Sequence, residues 1–226
     1  MIPLRDDNPP RTTPVVTIAI IALCVIAFLW QWQLPPEDAQ RSLYQLGFIP
    51  GLLLGKASFQ DPILPPAATI ATAMFLHGSL LHLAANMLYL WIFGDTIEDR
   101  IGRGQFALFY LMCGVVAALA QALPDPSSTV PMVGASGAIS GVLGAYVALY
   151  RRANVLVALP SFVESYTFRV PAVALIGVWF LGQLASAVAA EEGAGGVAFI
   201  ADVGGFLAGV LLIRLFARDR RVTRVR

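Results

Sequence analysis

Residues 75–94 read FLHGSLLHLAANMLYLWIFG, twenty positions without one Asp, Glu, Lys or Arg that still carry two histidines and an asparagine. A helix needs roughly 20 apolar residues to cross a hydrocarbon core about 30 Å thick, so this stretch predicts a membrane span, running from about Ser79 to Gly94. An ionisable group inside such a span costs about 2.5–3.5 kcal/mol on insertion scales, and its presence calls for a reason. His82 and Asn86 are four apart and share one helix face. They form a paired polar surface, although either alone is also explained as interhelical glue.

Working outward, the rest of the chain has the same character. Of its 226 residues 58% are hydrophobic and 13% charged, against about 25% charged in an average soluble domain, and the mean hydropathy is +0.73. Four further uncharged runs predict spans near Pro14–Leu34, Gln105–Leu123, Val133–Tyr150 and Val170–Ala190, and a fifth apolar run, interrupted only by Asp202 and Arg214, predicts one near Val197–Ala217. The fold class is therefore all-α, a polytopic membrane protein with six spans. The apolar stretch Ala67–Leu76 is either part of the second span or a dipping loop. One membrane domain, residues 14–217, lies between a tail at 1–13 and a basic tail at 218–226. No internal repeat or low-complexity tract interrupts it.

Orientation follows from the basic residues, which are retained in short cytoplasmic loops. Six spans put both termini on one side with the loops around 95–104 and 151–169, and that side holds 13 of the 15 basic residues. Only Arg41 and Lys56 fall opposite. Both termini are expected in the cytoplasm. The net charge of +1 hides this asymmetry and gives no reason to expect a nucleic-acid partner, and the cationic end RLFARDRRVTRVR is read as a lipid anchor. Residues 14–34 are too long for a signal-peptide core and lack a small-residue cleavage site, so they are read as an uncleaved first helix. Cys24 and Cys113, two cysteines within spans, are read as packing residues. The long connection Pro35–Pro66 includes LGFIPGLLLG and is too apolar for a solvated linker, which predicts an interfacial element on the outer side.

Two short motif matches carry no weight. Gly51–Ser58 (GLLLGKAS) approximates a phosphate loop but has the wrong spacing and no preceding strand, and Gly102–Ala107 echoes a dinucleotide fingerprint without its strand and helix.

Two more polar clusters remain. In VGASGAISGVLGAY, Ser136 begins a span between Gly134 and Gly137, where unpaired backbone N–H groups and the positive helix end suit stabilisation of an oxyanion beside a serine nucleophile. Gly137 and Gly141 also make a small-residue face for close helix contact. In VAFIADVGGFLAG, Asp202 lies on nearly the same face as Gly205 and Gly209, so packing of the fourth and sixth helices through their glycines would bring Asp202 toward Ser136.

With these residues in view, the chain resembles the rhomboid intramembrane serine proteases. The resemblance rests on MIPLRDDNPPRTTP, HGSLLHLAAN, GDTIEDRIGRGQFALFYLMCG, GASG and GGFLAG in this order. It implies a six-helix core, cleavage of other membrane proteins in or beside a transmembrane helix, no metal and no cofactor, and residence in a bacterial inner membrane. It implies Ser136 as nucleophile, oxyanion stabilisation by His82, Asn86 and the Ser136 N–H, and a supporting role for His77. In that family a last-span histidine before the glycine pair takes the serine proton. Here Asp202 stands in its place, and the chain's two histidines, His77 and His82, both lie in the second-span segment.

Serine is a weak nucleophile without an adjacent base, and a carboxylic acid's ordinary pKa near 3.9 lies well below that of imidazole near 6.5. Two readings follow: a serine endopeptidase impaired by Asp202 or working through it, and a catalytically silent rhomboid that holds transmembrane helices without cutting. A channel lined by His82, Asn86 and Asp202 would need symmetric, interrupted helices, and none is visible. A metal held by His77, His82 and Asp202 is disfavoured because the histidines are five apart, off a shared face. The glycine faces serve contacts within a chain as readily as between chains, leaving oligomeric state open.

Overall fold

The computed structural model describes residues 2–58, 62–159, 166–189 and 198–217; the basic tail at 218–226 lies outside them. Six apolar helices make the body: α1 (Val15–Gln33), α5 (Leu80–Ile101), α6 (Arg103–Ala122), α7 (Ser136–Leu149), α8 (Ala172–Ala189) and α9 (Ala198–Phe216). Of these, α1, α5, α6 and α9 are long and apolar enough to cross a bilayer, while α7 and the described part of α8 are shorter apolar helices. Large apolar side chains such as Trp32, Leu81, Leu181 and Leu211 are 65–80% exposed. In water such faces would be a liability; against lipid tails they carry no penalty.

Local sequence sets the helix ends. α1 stops at Gln33, just ahead of Pro35 and Pro36, which bar the backbone from continuing. Its first turn has no capping side chain of its own. Glu98, buried on α5, supplies the cap instead, accepting from Val16 N at 2.9 Å, Thr17 N at 2.7 Å and Thr17 Oγ1 at 2.8 Å. A carboxylate there meets both the orphan N–H groups and the positive helix end. α5 begins at Ser79, whose hydroxyl accepts from His82 N at 3.2 Å. It ends at Gly102, whose φ of +90° lets the chain turn directly into α6.

The second span starts where expected, at Ser79, and differs from expectation at its far end. Residues 69–73 form a separate short helix, α4 (Thr69–Ala73), so the 67–76 stretch does not extend α5. At its other end α5 runs on to Ile101, past Asp95, Glu98, Asp99 and Arg100. Those charges are compatible with helix because partners meet them: Thr12 donates to Asp99 through its backbone and its hydroxyl, and Glu98 caps α1. The connection at 35–66 carries α2 (Pro36–Leu46) and α3 (Pro50–Leu53). Pro36 opens α2, and Glu37 and Asp38 in its first turn favour the start of a helix.

A small sheet adds to the helical class. β1 (Ile2–Asp6), β2 (Asn154–Leu159) and β3 (Tyr166–Pro171) pair antiparallel in that order, so residues 2–6, expected as tail, and residues 154–159 and 166–171 of the connection between α7 and α8 are strand. The sequence signal is the period of two in NVLVAL: Val155 and Val157 are fully buried, their neighbours less so. Asp7 receives Asn154 N at 3.2 Å and pairs with Arg169 at 3.6 Å. The N-terminus, the end of α5 and the α7–α8 connection thus share one face, the grouping that the arginine distribution requires.

At the centre lies α7, buried at every position from Ser136 to Tyr146. A helix enclosed all round needs small residues wherever another backbone must approach, and α7 presents Gly137, Gly141 and Gly144. A Cβ built on Gly205 would fall on the Gly137 carbonyl, one on Gly209 on the Gly141 carbonyl, and one on Gly144 on the Phe206 carbonyl. The α7–α9 seam is therefore backbone against backbone. Cys113 packs against Gly141 from α6, the packing role expected of it, and Cys24 is a free buried thiol.

Candidate active site

Ser136 is the first helical residue of α7 and is 5% exposed. It is reached through a turn in which Gly134 has φ +129°, a conformation closed to most side chains. Gly134 N donates to the Ala73 carbonyl at 2.9 Å, tying this turn to the end of α4. A Cβ at Gly134 would stand 2.7 Å from Cε1 and 3.0 Å from Nε2 of His82, so the imidazole lies directly over the turn that carries the serine. Ser136, the His82 ring and the first N–H groups of α7 converge.

His77 supports that arrangement from behind. Its ring meets His82 edge to face, with centroids 5.2 Å apart. Its backbone N–H donates to Gln31 Oε1 at 3.4 Å, and its Nδ1 lies 3.3 Å from the Phe75 carbonyl. A carbonyl partner requires the proton on Nδ1, which fixes the ring. Asn86 lies one turn along α5 from His82, fully buried, and neither amide atom has a partner among the described residues. It is absent from the lining of the cleft that holds His82.

Across the glycine seam, Asp202 sits near the start of α9 and is fully buried. Gln183 of α8 donates Nε2–H to Asp202 Oδ2 at 2.8 Å. The Ser136 and Ser140 hydroxyls adjoin the same carboxyl, but among the described residues its hydrogen bond is to Gln183, and both Oδ1 and Ser140 Oγ stand without a partner. Gly205 and Gly209 are what allow this proximity, since any side chain there would force α9 away from α7.

One cleft of about 610 Å³ joins these groups. Ser136, His82, Asp202 and Gln183 line it together with Gln121 and the aromatic pair Tyr89 and Trp179, whose ring centroids are 4.3 Å apart. Its walls come from α5 on one side and α8 on the other. α8 turns Gly177 and Gly182 away from the bundle, where an added Cβ would meet nothing within 4 Å, and buries Leu175, Ile176 and Trp179. Among the described residues no three His, Cys, Asp or Glu side chains are placed to hold a metal ion.

The two glutamines escape a reading centred on ionisable groups. Among the described residues Gln183 donates to Asp202 at 2.8 Å, and Gln121 accepts from Ala201 N at 3.3 Å, satisfying one of the unpaired N–H groups at the start of α9. Their signal was present all the same: an amide isolated in an apolar run must find a partner inside the bundle.

Comparison with known proteins shows the family. The Rhomboid domain model matches residues 67–219. Rhomboid protein 1, mitochondrial, of Saccharomyces cerevisiae is 30% identical over 219 residues, covering 92% of this chain and 56% of that protein. Rhomboid protease GluP of Bacillus subtilis is 44% identical over 85 residues, 37% of this chain and 16% of GluP, and Rhomboid-like protein 11, chloroplastic, of Arabidopsis thaliana is 31% identical over 158 residues, 65% of this chain and 51% of that protein. The chain thus spans about half the length, or less, of these relatives. On the strength of the domain match across most of its length and the apolar helices that carry it, the chain is an integral membrane protein and belongs to the rhomboid family.

Proposed function

We propose that this chain is a rhomboid-type intramembrane serine endopeptidase acting on proteins at or near a transmembrane helix, slowed because Asp202 occupies the position of the proton-accepting histidine. The observation that carries the reading is Ser136 at the first position of α7, opening on a cleft that also holds His82 and Asp202. In the reaction, Ser136 Oγ bonds to the scissile carbonyl carbon and the carbonyl oxygen gains negative charge. The Ser136 N–H at the helix start and the His82 ring over Gly134 supply its donors, with Asn86 a turn away on the same helix. The serine proton passes to Asp202 and from there to the leaving amine as the C–N bond breaks; a water, giving its proton to Asp202, then cleaves the acyl ester, and that proton returns to Ser136 Oγ. Aspartate is shorter than histidine, and Gln183 already engages one of its oxygens, so the transfer from Ser136 limits the rate.

That same Gln183 bond favours one other reading, a silent rhomboid that holds helices without cutting them. Comparing wild type with Ser136→Ala in proteoliposomes containing a transmembrane reporter separates the two. Slow wild-type cleavage that Ser136→Ala abolishes is the expected result. Equal fragment yields from both proteins would establish the silent reading.

We place both termini on the cytoplasmic side of a bacterial inner membrane. The concentration of 13 of 15 basic residues on one side supports the orientation. Mitochondrial and chloroplastic relatives show that family membership alone does not choose the membrane.

A further inference from the structure

Two buried polar atoms beside Ser136 complement one another. Ser140 Oγ is a donor and Asp202 Oδ1 an acceptor; both residues are fully buried. They adjoin, for the Ser136 and Ser140 hydroxyls border the Asp202 carboxyl from α7 while Gln183 holds Oδ2 from α8 at 2.8 Å. The spacing on α7 accounts for this. Ser136 and Ser140 are four apart and share a helix face, with Cβ atoms about 5–6 Å from one another, so one oxygen set midway lies within hydrogen-bond reach of both hydroxyls. The glycine seam brings that oxygen in: a Cβ on Gly137, next to Ser136, would stand 3.8 Å from the Ala201 Cβ, next to Asp202. Leaving a buried donor and a buried acceptor apart is costly, and a serine side chain turns about a single bond to meet its acceptor.

We propose that Ser140 is a positioning residue for the proton transfer: its hydroxyl donates to Asp202 Oδ1 and, with Gln183 on Oδ2, fixes the carboxylate so that the second lone pair of Oδ1 faces Ser136 Oγ. The inference rests on reading Ser136 and Asp202 as the reacting pair. A carboxylate oxygen has two lone pairs, so the bond from Ser140 leaves a place for the Ser136 proton, and Ser140 keeps its own proton throughout. Because aspartate is the shorter side chain, its oxygen meets Ser136 in few orientations, and a second anchor counts for more than it would with histidine.

The test compares cleavage of a transmembrane reporter in proteoliposomes, at varied reporter density, by the full-length wild type, Ser140→Ala, Asp202→His and Asp202→His/Ser140→Ala, each first shown to be folded by its thermal midpoint in detergent. Ser140→Ala is expected to lower kcat about 10- to 100-fold, the worth of one hydrogen bond to a charged group, and to leave KM unchanged. In the Asp202→His background, where the longer ring reaches Ser136 without this anchor, the same substitution is expected to cost a factor at least about fivefold smaller, the coupling that a double-mutant cycle isolates. An unchanged kcat in folded Ser140→Ala overturns the inference, as does an equal loss in both backgrounds, the mark of packing alone; either result leaves Ser136 and Asp202 as the reacting pair. A folded wild type with no cleavage that depends on Ser136 overturns that pair, and the inference with it.

Discussion

Asp202→His is expected to raise cleavage of a transmembrane reporter by about 10²–10⁴-fold, the range that a positioned general acid and base contributes. The gain follows from what is already in place. Ser136 stands at a helix start, His82 overlies its turn, and the glycine seam brings position 202 beside the serine. On the proposed mechanism, what is lacking is an acceptor of suitable reach and basicity. Histidine supplies both, and the adjoining cleft of about 610 Å³ gives the larger ring room. Gln183, which now donates to the carboxyl, can turn its amide and accept from Nδ1–H, leaving Nε2 toward Ser136; ordering of an imidazole by a third group is how serine–histidine pairs are kept in register. Fragment yield from proteoliposomes, with Asp202→His/Ser136→Ala as control, measures the effect. A folded Asp202→His no faster than wild type would mean that the half-site around Ser136 is not competent.

The largest expected loss of stability comes from the glycine seam. A Cβ at Gly209 would land on the backbone of Gly141, and one at Gly205 on the backbone of Gly137. Neither partner is a flexible side chain that can swing aside, and α7 is enclosed on all sides, so the two helices must separate. Overpacking in a yielding core costs about 1–3 kcal/mol, and a clash between two backbones lies at or above the top of that range. Gly209→Ala is expected to lower the thermal midpoint in detergent sharply, and Gly205→Val to prevent recovery of monodisperse protein. Gly177→Ala on α8, where the added methyl meets nothing within 4 Å, is expected to leave the midpoint unchanged. A normal midpoint for Gly209→Ala would show that α7 and α9 are not in backbone contact.

Much of this was legible in the residues, for identifiable reasons. Apolar length marked the helices, because hydrocarbon demands internal backbone hydrogen bonding over a fixed thickness. Ser136 was legible as a helix start, and the two small-residue faces announced the α7–α9 contact and so the neighbourhood of Ser136 and Asp202. Long-range partners were not legible. Glu98 reads as one charge among several at a helix end, and only the fold shows it capping α1, 81 residues away from Thr17. Gln183 reads as an isolated amide until α8 and α9 are adjacent. The i, i+4 spacing of His82 and Asn86 gave a shared face but not a shared environment: His82 lines the cleft, whereas Asn86 is fully buried beyond it. The sheet was missed because β2 spans six residues and its valine alternation is brief.

The central claim is that Ser136 is a nucleophile in waiting, short only of a base at position 202. A fluorophosphonate probe, which is attacked by an activated serine and stays bonded to it, tests this without any substrate. Intact-mass and peptide analysis of the labelled proteins should show Ser136 modified rapidly in Asp202→His, slowly in wild type and not at all in Ser136→Ala. Equal labelling of Ser136 in wild type and Asp202→His, or labelling of Asp202→His at some other serine, would contradict it.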